Sequence, residues 1–190
     1  MSRIDPLPFG TALLLLGLGA FGITALSLSA DDVSFARAQW TAALSLALAA
    51  PAIALYVLEE GTPGRWWRAF WTVALAAYLA HFWWSVFRSY HGDFAAIATR
   101  QGWTAYTNYA VTLLWLADVA LAWLAPASRN GGRIALRFVA WAAVTVSFLM
   151  SSAFFRDGAI AMLGMALAAS VVASALLRCF RMTRWIERRG

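Results

Sequence analysis

The sequence predicts an all-α integral membrane protein that crosses the bilayer six times, with short loops and one short interfacial helix. Two observations carry this. Hydrophobic residues make up 62% of the 190 and charged residues 13%, with a mean hydropathy of +0.67; a soluble domain needs roughly a quarter charged residues to solvate its surface. The apolar residues also gather into six runs, each near the roughly 20 residues a helix needs to cross a bilayer core.

The first run, Pro6 to Ala30, is uncharged. The second, Ala38 to Leu58, is broken only by Pro51, which removes one backbone donor and is expected to kink its helix. Ala69 to Phe87 is the third, and Thr104 to Ala125, apolar apart from Asp118, is the fourth. Phe138 to Phe155 is short, and Gly158 to Leu177 closes the set before a basic tail over 178–190. Only the third connection, Ser89 to Trp103, is long. Asp93 stands where an N-cap belongs, Arg100 falls in the last turn and Gly102 supplies a stop, so a short helix is expected there. Phe94, Ile97 and Ala98 share one face, which is expected to lie against the outer leaflet.

Orientation follows from the arginines, which supply all 15 basic residues. One end of the runs holds Arg3, Arg65, Arg68, Arg129, Arg133, Arg137, Arg178, Arg181, Arg184, Arg188 and Arg189. The other holds Arg37, Arg88, Arg100 and Arg156. The positive-inside rule makes the richer end cytoplasmic, and six crossings place both termini there. The expected location is a bacterial inner membrane. A pI near 10.4 is compatible with nucleic acid. The arginines sit at the ends of apolar runs, however, so anionic lipid headgroups are the expected neighbours and nucleic acid is not. Arg178, Arg181, Arg184, Arg188 and Arg189, with Phe180, Trp185 and Ile186, are the candidate lipid-binding set.

Two patterns mislead. Gly17 to Gly22 reads G-x-G-x-x-G, but no strand precedes it and it lies within an apolar run, so close helix packing is the reading to expect. The first run also has a signal-peptide layout, with Ser27-Leu28-Ser29 as a possible cleavage site, yet its apolar core is longer than the usual 7 to 15 residues. The lone Cys179 can form no internal disulfide. G-x-S-x-G, H-E-x-x-H, P-loop and C-x-x-C motifs are absent, and two histidines cannot build the cluster of a membrane di-iron hydroxylase.

Ionisable groups inside a span are costly and mark candidate sites. Here they are His81 in the third span and Asp118 in the fourth. Tyr78, His81, Ser85 and Arg88 fall on one arc of the third span, and Thr104, Thr107, Asn108, Trp115 and Asp118 on one side of the fourth. The two stripes are expected to face each other or a common interior. At about 1.5 Å per residue, His81 and Asp118 stand too far apart in depth to pair directly, whereas Tyr78 reaches towards Asp118 and Asn108 towards Ser85 and Arg88. Asp118 is read either as a structural acceptor tying helices together or as a proton- or cation-binding carboxylate.

His81, Tyr78, Trp84 and Trp115 form the candidate cofactor contact. A haem held by two histidines of this chain is not expected, because no second histidine stands at the depth of His81; a tetrapyrrole on a single ligand, or a quinone, remains open. His91 and Asp93, joined by Asp31 and Asp32, are the candidate metal ligands, since transition metals favour such sets. Most of the 11 tryptophans are explained as interfacial belts. Three functions are compatible with these features. The first is a non-catalytic subunit of a larger membrane complex, redox or energy-converting, with other membrane subunits as partners. The second is a small transporter or channel using Asp118 and the polar stripe of the third span. The third is an enzyme acting on a lipidic substrate at the outer face through His91, Asp93 and Arg88. The sequence concentrates the polar groups on the third and fourth spans and makes the other four scaffold.

Overall fold

A computed structural model describes residues 4–59, 64–124, 130–154 and 157–187, without the side chains of 154 and 183–187. Seven α-helices follow in order: α1 Pro6–Ser27, α2 Val33–Leu58, α3 Arg65–Trp83, α4 Phe94–Gln101, α5 Trp103–Leu124, α6 Gly131–Leu149 and α7 Gly158–Glu187. No strand occurs among the described residues. All except the short α4 are long and apolar enough to span a membrane.

Four of the seven helices start at short polar side chains. Asp5 accepts from the Leu7 amide at 3.2 Å, Asp32 from Phe35 at 2.9 Å, Asp93 from Ala96 at 2.8 Å and Asn130 from Gly132 at 2.9 Å. Each satisfies one of the amides that a helix leaves without an internal partner. Pro6 follows the first cap, where its missing N–H costs nothing.

Consecutive spans alternate in direction, and contacts between distant residues fix which ends meet. Arg65 Nη1 donates to Asp5 at 2.9 Å, and Phe9 packs edge-on to Trp123 at 5.4 Å between ring centres. The starts of α1 and α3 and the end of α5 therefore share one end of the bundle, called here the base. The opposite end, the mouth, carries α4 and the α1–α2 turn, where Arg37 Nε donates to the buried Ser27 hydroxyl at 3.1 Å. Within the bundle α2 packs on α3 and α7, α3 on α5, α5 on α6, and α6 on α7. These five helices close a ring, and α1 lies outside it against α2 and α3. Leu14, Leu18 and Phe21 of α1 are more than 60% exposed, as a lipid-facing surface requires.

Five features differ from the sequence reading or sharpen it. The helix of the fifth span begins at Gly131 rather than near Phe138, because the long arginine stem lets charge ride on a helix inside its apolar boundary. Arg133 and Arg137 thus belong to the helix. The sixth span and the described part of the basic tail form one continuous helix to Glu187. The apolar side of α4 meets protein: Ile97 is buried with Val86 and Ala105, and Phe94 packs against Phe87 and Tyr109. In the Gly17 to Gly22 pattern only Gly19 is pressed, against the Leu44 side chain, while Gly17 and Gly22 face open space. Finally, α3 and α6 each widen at the mouth into a π-helical segment, Trp84–Ser89 and Met150–Phe154. Such widened turns recur at functional sites because the extra residue re-aims the side chains.

Gly164 shows how tightly the second π segment is seated. A Cβ there would lie 2.7 Å from the Ala153 backbone nitrogen and overlap the Ser152 side chain. Gly164→Ala is therefore expected to cost about 1–3 kcal/mol through overpacking against backbone. Gly17→Ala and Gly22→Ala are expected to stay within about 0.5 kcal/mol of the parent. Reversible unfolding of the detergent-solubilised variants measures all three.

Candidate functional site

The site has two storeys. The upper is a cavity of about 710 Å³ on the axis of the ring at its mouth half. All five ring helices line it, together with α4. One wall comes from α2 and is mainly apolar, through Phe35, Ala38, Ala42, Ala43 and Leu46, with Gln39 among them. The facing wall is polar but mostly uncharged. It carries Ser85 and Ser89 of the first π segment, Thr104 and Asn108 of α5, and Ser147, Ser151 and Ser152 of α6 and its π segment. Charge enters at the rim, through Asp32 and Arg100. A smaller chamber of about 20 Å³ adjoins it between α3, α4 and α5, and shares Tyr78, His81, Ser85, Gln101 and Asn108 with the main cavity.

His81 stands in this wall, fixed from α2: its Nδ1 lies 2.7 Å from the Ala38 carbonyl. A carbonyl only accepts, so Nδ1 carries the proton and donates. The imidazole is thus held by α2, which the depth argument did not foresee. The cavity reaches no deeper than Leu46, Tyr78 and Phe148. Beneath them aromatic rings are layered. Tyr78 is 5.5 Å from Trp115 and 6.3 Å from Phe148, and Trp115 is 6.0 Å from Phe148, between ring centres. Trp115 is fully buried and Phe148 nearly so. These rings form a floor of about one side-chain thickness.

The lower storey lies under that floor. Asp118, 1% exposed, accepts from Trp71 Nε1 at 3.0 Å and from Arg137 Nε at 3.2 Å, one bond on each oxygen. Trp71, Asp118 and Arg137 each stand six positions from the base end of their helices, at about 9 Å by the 1.5 Å rise, so α3, α5 and α6 bring them to one level. The Arg137 guanidinium also sits 5.4 Å from the centre of the Trp67 ring, a cation–π contact that supports a cation away from water. Trp67, Trp71 and Trp115 continue the stack at 5.6 and 4.7 Å between centres. Among the described residues, Trp67 Nε1 and two nitrogens of Arg68 below this level, Trp115 Nε1 above it, and Thr145 Oγ1 about 12 Å above it by the helix rise are buried without a hydrogen-bond partner.

The structure gathers some of the sequence-predicted residues and separates others. Tyr78, His81, Ser85 and Asn108 share the cavity. Trp115 lies below it. Tyr78 does not reach Asp118, because the Trp115 ring stands between them. Arg88 is exposed and turned away from Asn108. Its guanidinium and that of Arg37 lie 6.0 and 4.9 Å from the Trp84 ring centre, outside the cavity lining. Asp93 serves as the cap of α4, and His91 is exposed with φ +54° in the tight turn that precedes it. Among the described residues no group of three or more His, Cys, Asp or Glu gathers as metal ligands. Arg178 and Arg181 ride on the last turns of α7, with Arg181 exposed. Arg3, Glu60, Arg129, Arg156, Arg188 and Arg189, and the side chains of Arg184, Trp185 and Ile186, lie outside the described residues.

Two sets were missed. Arg137 was read only as a topology signal because the hydropathy boundary placed it outside its span. Ser147, Ser151 and Ser152 were passed over, although serines at i, i+4 and i+5 in an otherwise apolar run mark a single helix face. With them α2, α6 and α7 become walls of the site rather than scaffold. The chain is thus a polytopic all-α membrane protein built around a cavity and a buried ion pair. It matches no family model, no curated protein and no solved structure.

Asp118→Ala is predicted to destabilise the closed form by about 3–5 kcal/mol, since there Arg137 loses its counter-charge. Asp118→Leu combined with Arg137→Leu removes both charges and is expected to restore most of that loss. Denaturant titration of the solubilised variants reads the difference.

Proposed function

We infer that the protein is a small-molecule carrier, open at the mouth, that takes an amphipathic and largely uncharged ligand. One observation carries this: a ring of five spanning helices encloses a cavity of about 710 Å³ that ends halfway at an aromatic floor. That volume lies within the roughly 300–1,000 Å³ of small-molecule sites. An apolar wall facing hydroxyls and amides suits a ligand with one greasy and one hydrogen-bonding side. A site near mid-membrane, sealed on one side only, is the arrangement that alternating access requires.

A cytoplasmic base is supported by the arginines: Arg65, Arg68, Arg133, Arg137, Arg178 and Arg181 lie towards it, against Arg37, Arg88 and Arg100 at the mouth. The ligand is then taken from the outer face of a bacterial inner membrane, or released to it. A quinone belongs to this ligand class, and His81 and Tyr78 are the residues its ring would meet. That occupant links the carrier reading to a redox complex.

Cys179 is the sole cysteine, so a Cys179→Ser chain lets one introduced thiol report at a time. In vesicles, Ser147→Cys is expected to react with a membrane-impermeant methanethiosulfonate added at the mouth face. It should also react, more slowly, with reagent added at the base face as the carrier turns over. Reaction from the mouth face alone would contradict transport and leave a binding protein. Reaction from neither face would contradict the cavity.

A further inference from the structure

We propose that the Asp118–Arg137 pair is a proton-released latch: one proton taken up by Asp118 from the base side dissolves the ion pair, frees α6 from α5 and opens the base. The inference rests on the carrier reading, because an outward-open cavity requires a second state in which the base parts. Among the described residues, α6 packs on α5 and is tied near the base by Arg137 on Asp118 and by Trp141, which donates to the Ile53 carbonyl at 3.2 Å and stacks on Tyr56 at 5.0 Å between ring centres. Of these, only the ion pair changes with a proton.

The chemistry balances simply. A proton from water reaches Asp118 Oδ1, the oxygen that faces Arg137, and the carboxylate becomes a neutral acid. Arg137 keeps its own proton, as a guanidinium always does, and loses its counter-charge. Its side chain is 12% exposed, so the pair lies beside the surface and the cation can turn to water at the base. Asp118 keeps Oδ2 to accept from Trp71. Around it, Arg137 from α6 and Tyr56 from α2 are the titratable groups within electrostatic reach. From α3 it meets the non-titrating Trp71, with Arg68 a turn nearer the base against Trp123 at 5.4 Å.

The test uses Ala122→Cys in the Cys179→Ser background. Ala122 is 2% exposed, four residues below Asp118 on the same face of α5. Its reaction with an impermeant methanethiosulfonate from the base side is followed against pH. The exposed Cys179 of the unaltered chain corrects for the pH dependence of thiol chemistry. Ala122→Cys is expected to be protected at neutral pH and to react about tenfold faster or more on acidification. Asp118→Asn, which mimics the protonated acid, should react at the fast rate at every pH. Arg137→Gln breaks the same pair from the other side and should do likewise, which covers the case in which Asp118→Asn does not insert. Protection unchanged in the variants, or an acid response that persists in Asp118→Asn, would overturn the latch. If Ser147→Cys still reacts from both faces while these variants have no effect, the carrier stands and only the latch falls.

Discussion

The structure depends on a carboxylate and a guanidinium held together away from water. Neither charge could stay inside the bundle alone; each is tolerable because the other is 3.2 Å away and because indoles take the remaining contacts. Trp71 supplies a hydrogen bond to Asp118, and Trp67 offers its ring face to Arg137. This one requirement draws α3, α5 and α6 to a common level. It also explains why Trp67, Trp71 and Trp115, the fully buried tryptophans among the described residues, cluster there instead of at the membrane boundary.

The two halves of the ring obey different rules. The base half is aromatic and tied by specific bonds, including Trp123 to the Thr72 hydroxyl at 3.0 Å and Trp141 to the Ile53 carbonyl. The mouth half is open and lined by short hydroxyls. Both π segments lie there, one on each side of the cavity, and both carry serines into its wall. Small polar side chains on widened turns leave room that leucines on regular helices would fill. The ring is thus sealed where charge is buried and hollow where it is not.

Much of the architecture was legible in the sequence. Six runs of bilayer length gave six spans, and Asp93, Arg100 and Gly102 marked α4 to the residue. Tyr78, His81 and Ser85 fall on one arc of the third span and Asn108 on the polar side of the fourth, and the four share the cavity, while Arg88 of the same arc turns out of it. What failed did so for physical reasons. A hydropathy boundary marks where charge appears, not where a helix starts, so the α6 register and the role of Arg137 were hidden. Depth counted along single helices cannot show a ring interposed between two of them, as Trp115 stands between Tyr78 and Asp118. Serines within an apolar run carry so little weight individually that the wall from α6 was read as scaffold.

Distance measurement between pairs of spin labels at both ends of the Cys179→Ser protein in lipid is the most direct test of the paired opening and closing. Leu124→Cys and Ile134→Cys, both exposed, report the α5–α6 gap at the base. Phe35→Cys and Trp103→Cys, also exposed, report the mouth. Acidification is expected to lengthen the base distance and shorten the mouth distance together. A base distance that stays fixed while the mouth varies, or two ends that move without correlation, would contradict the account.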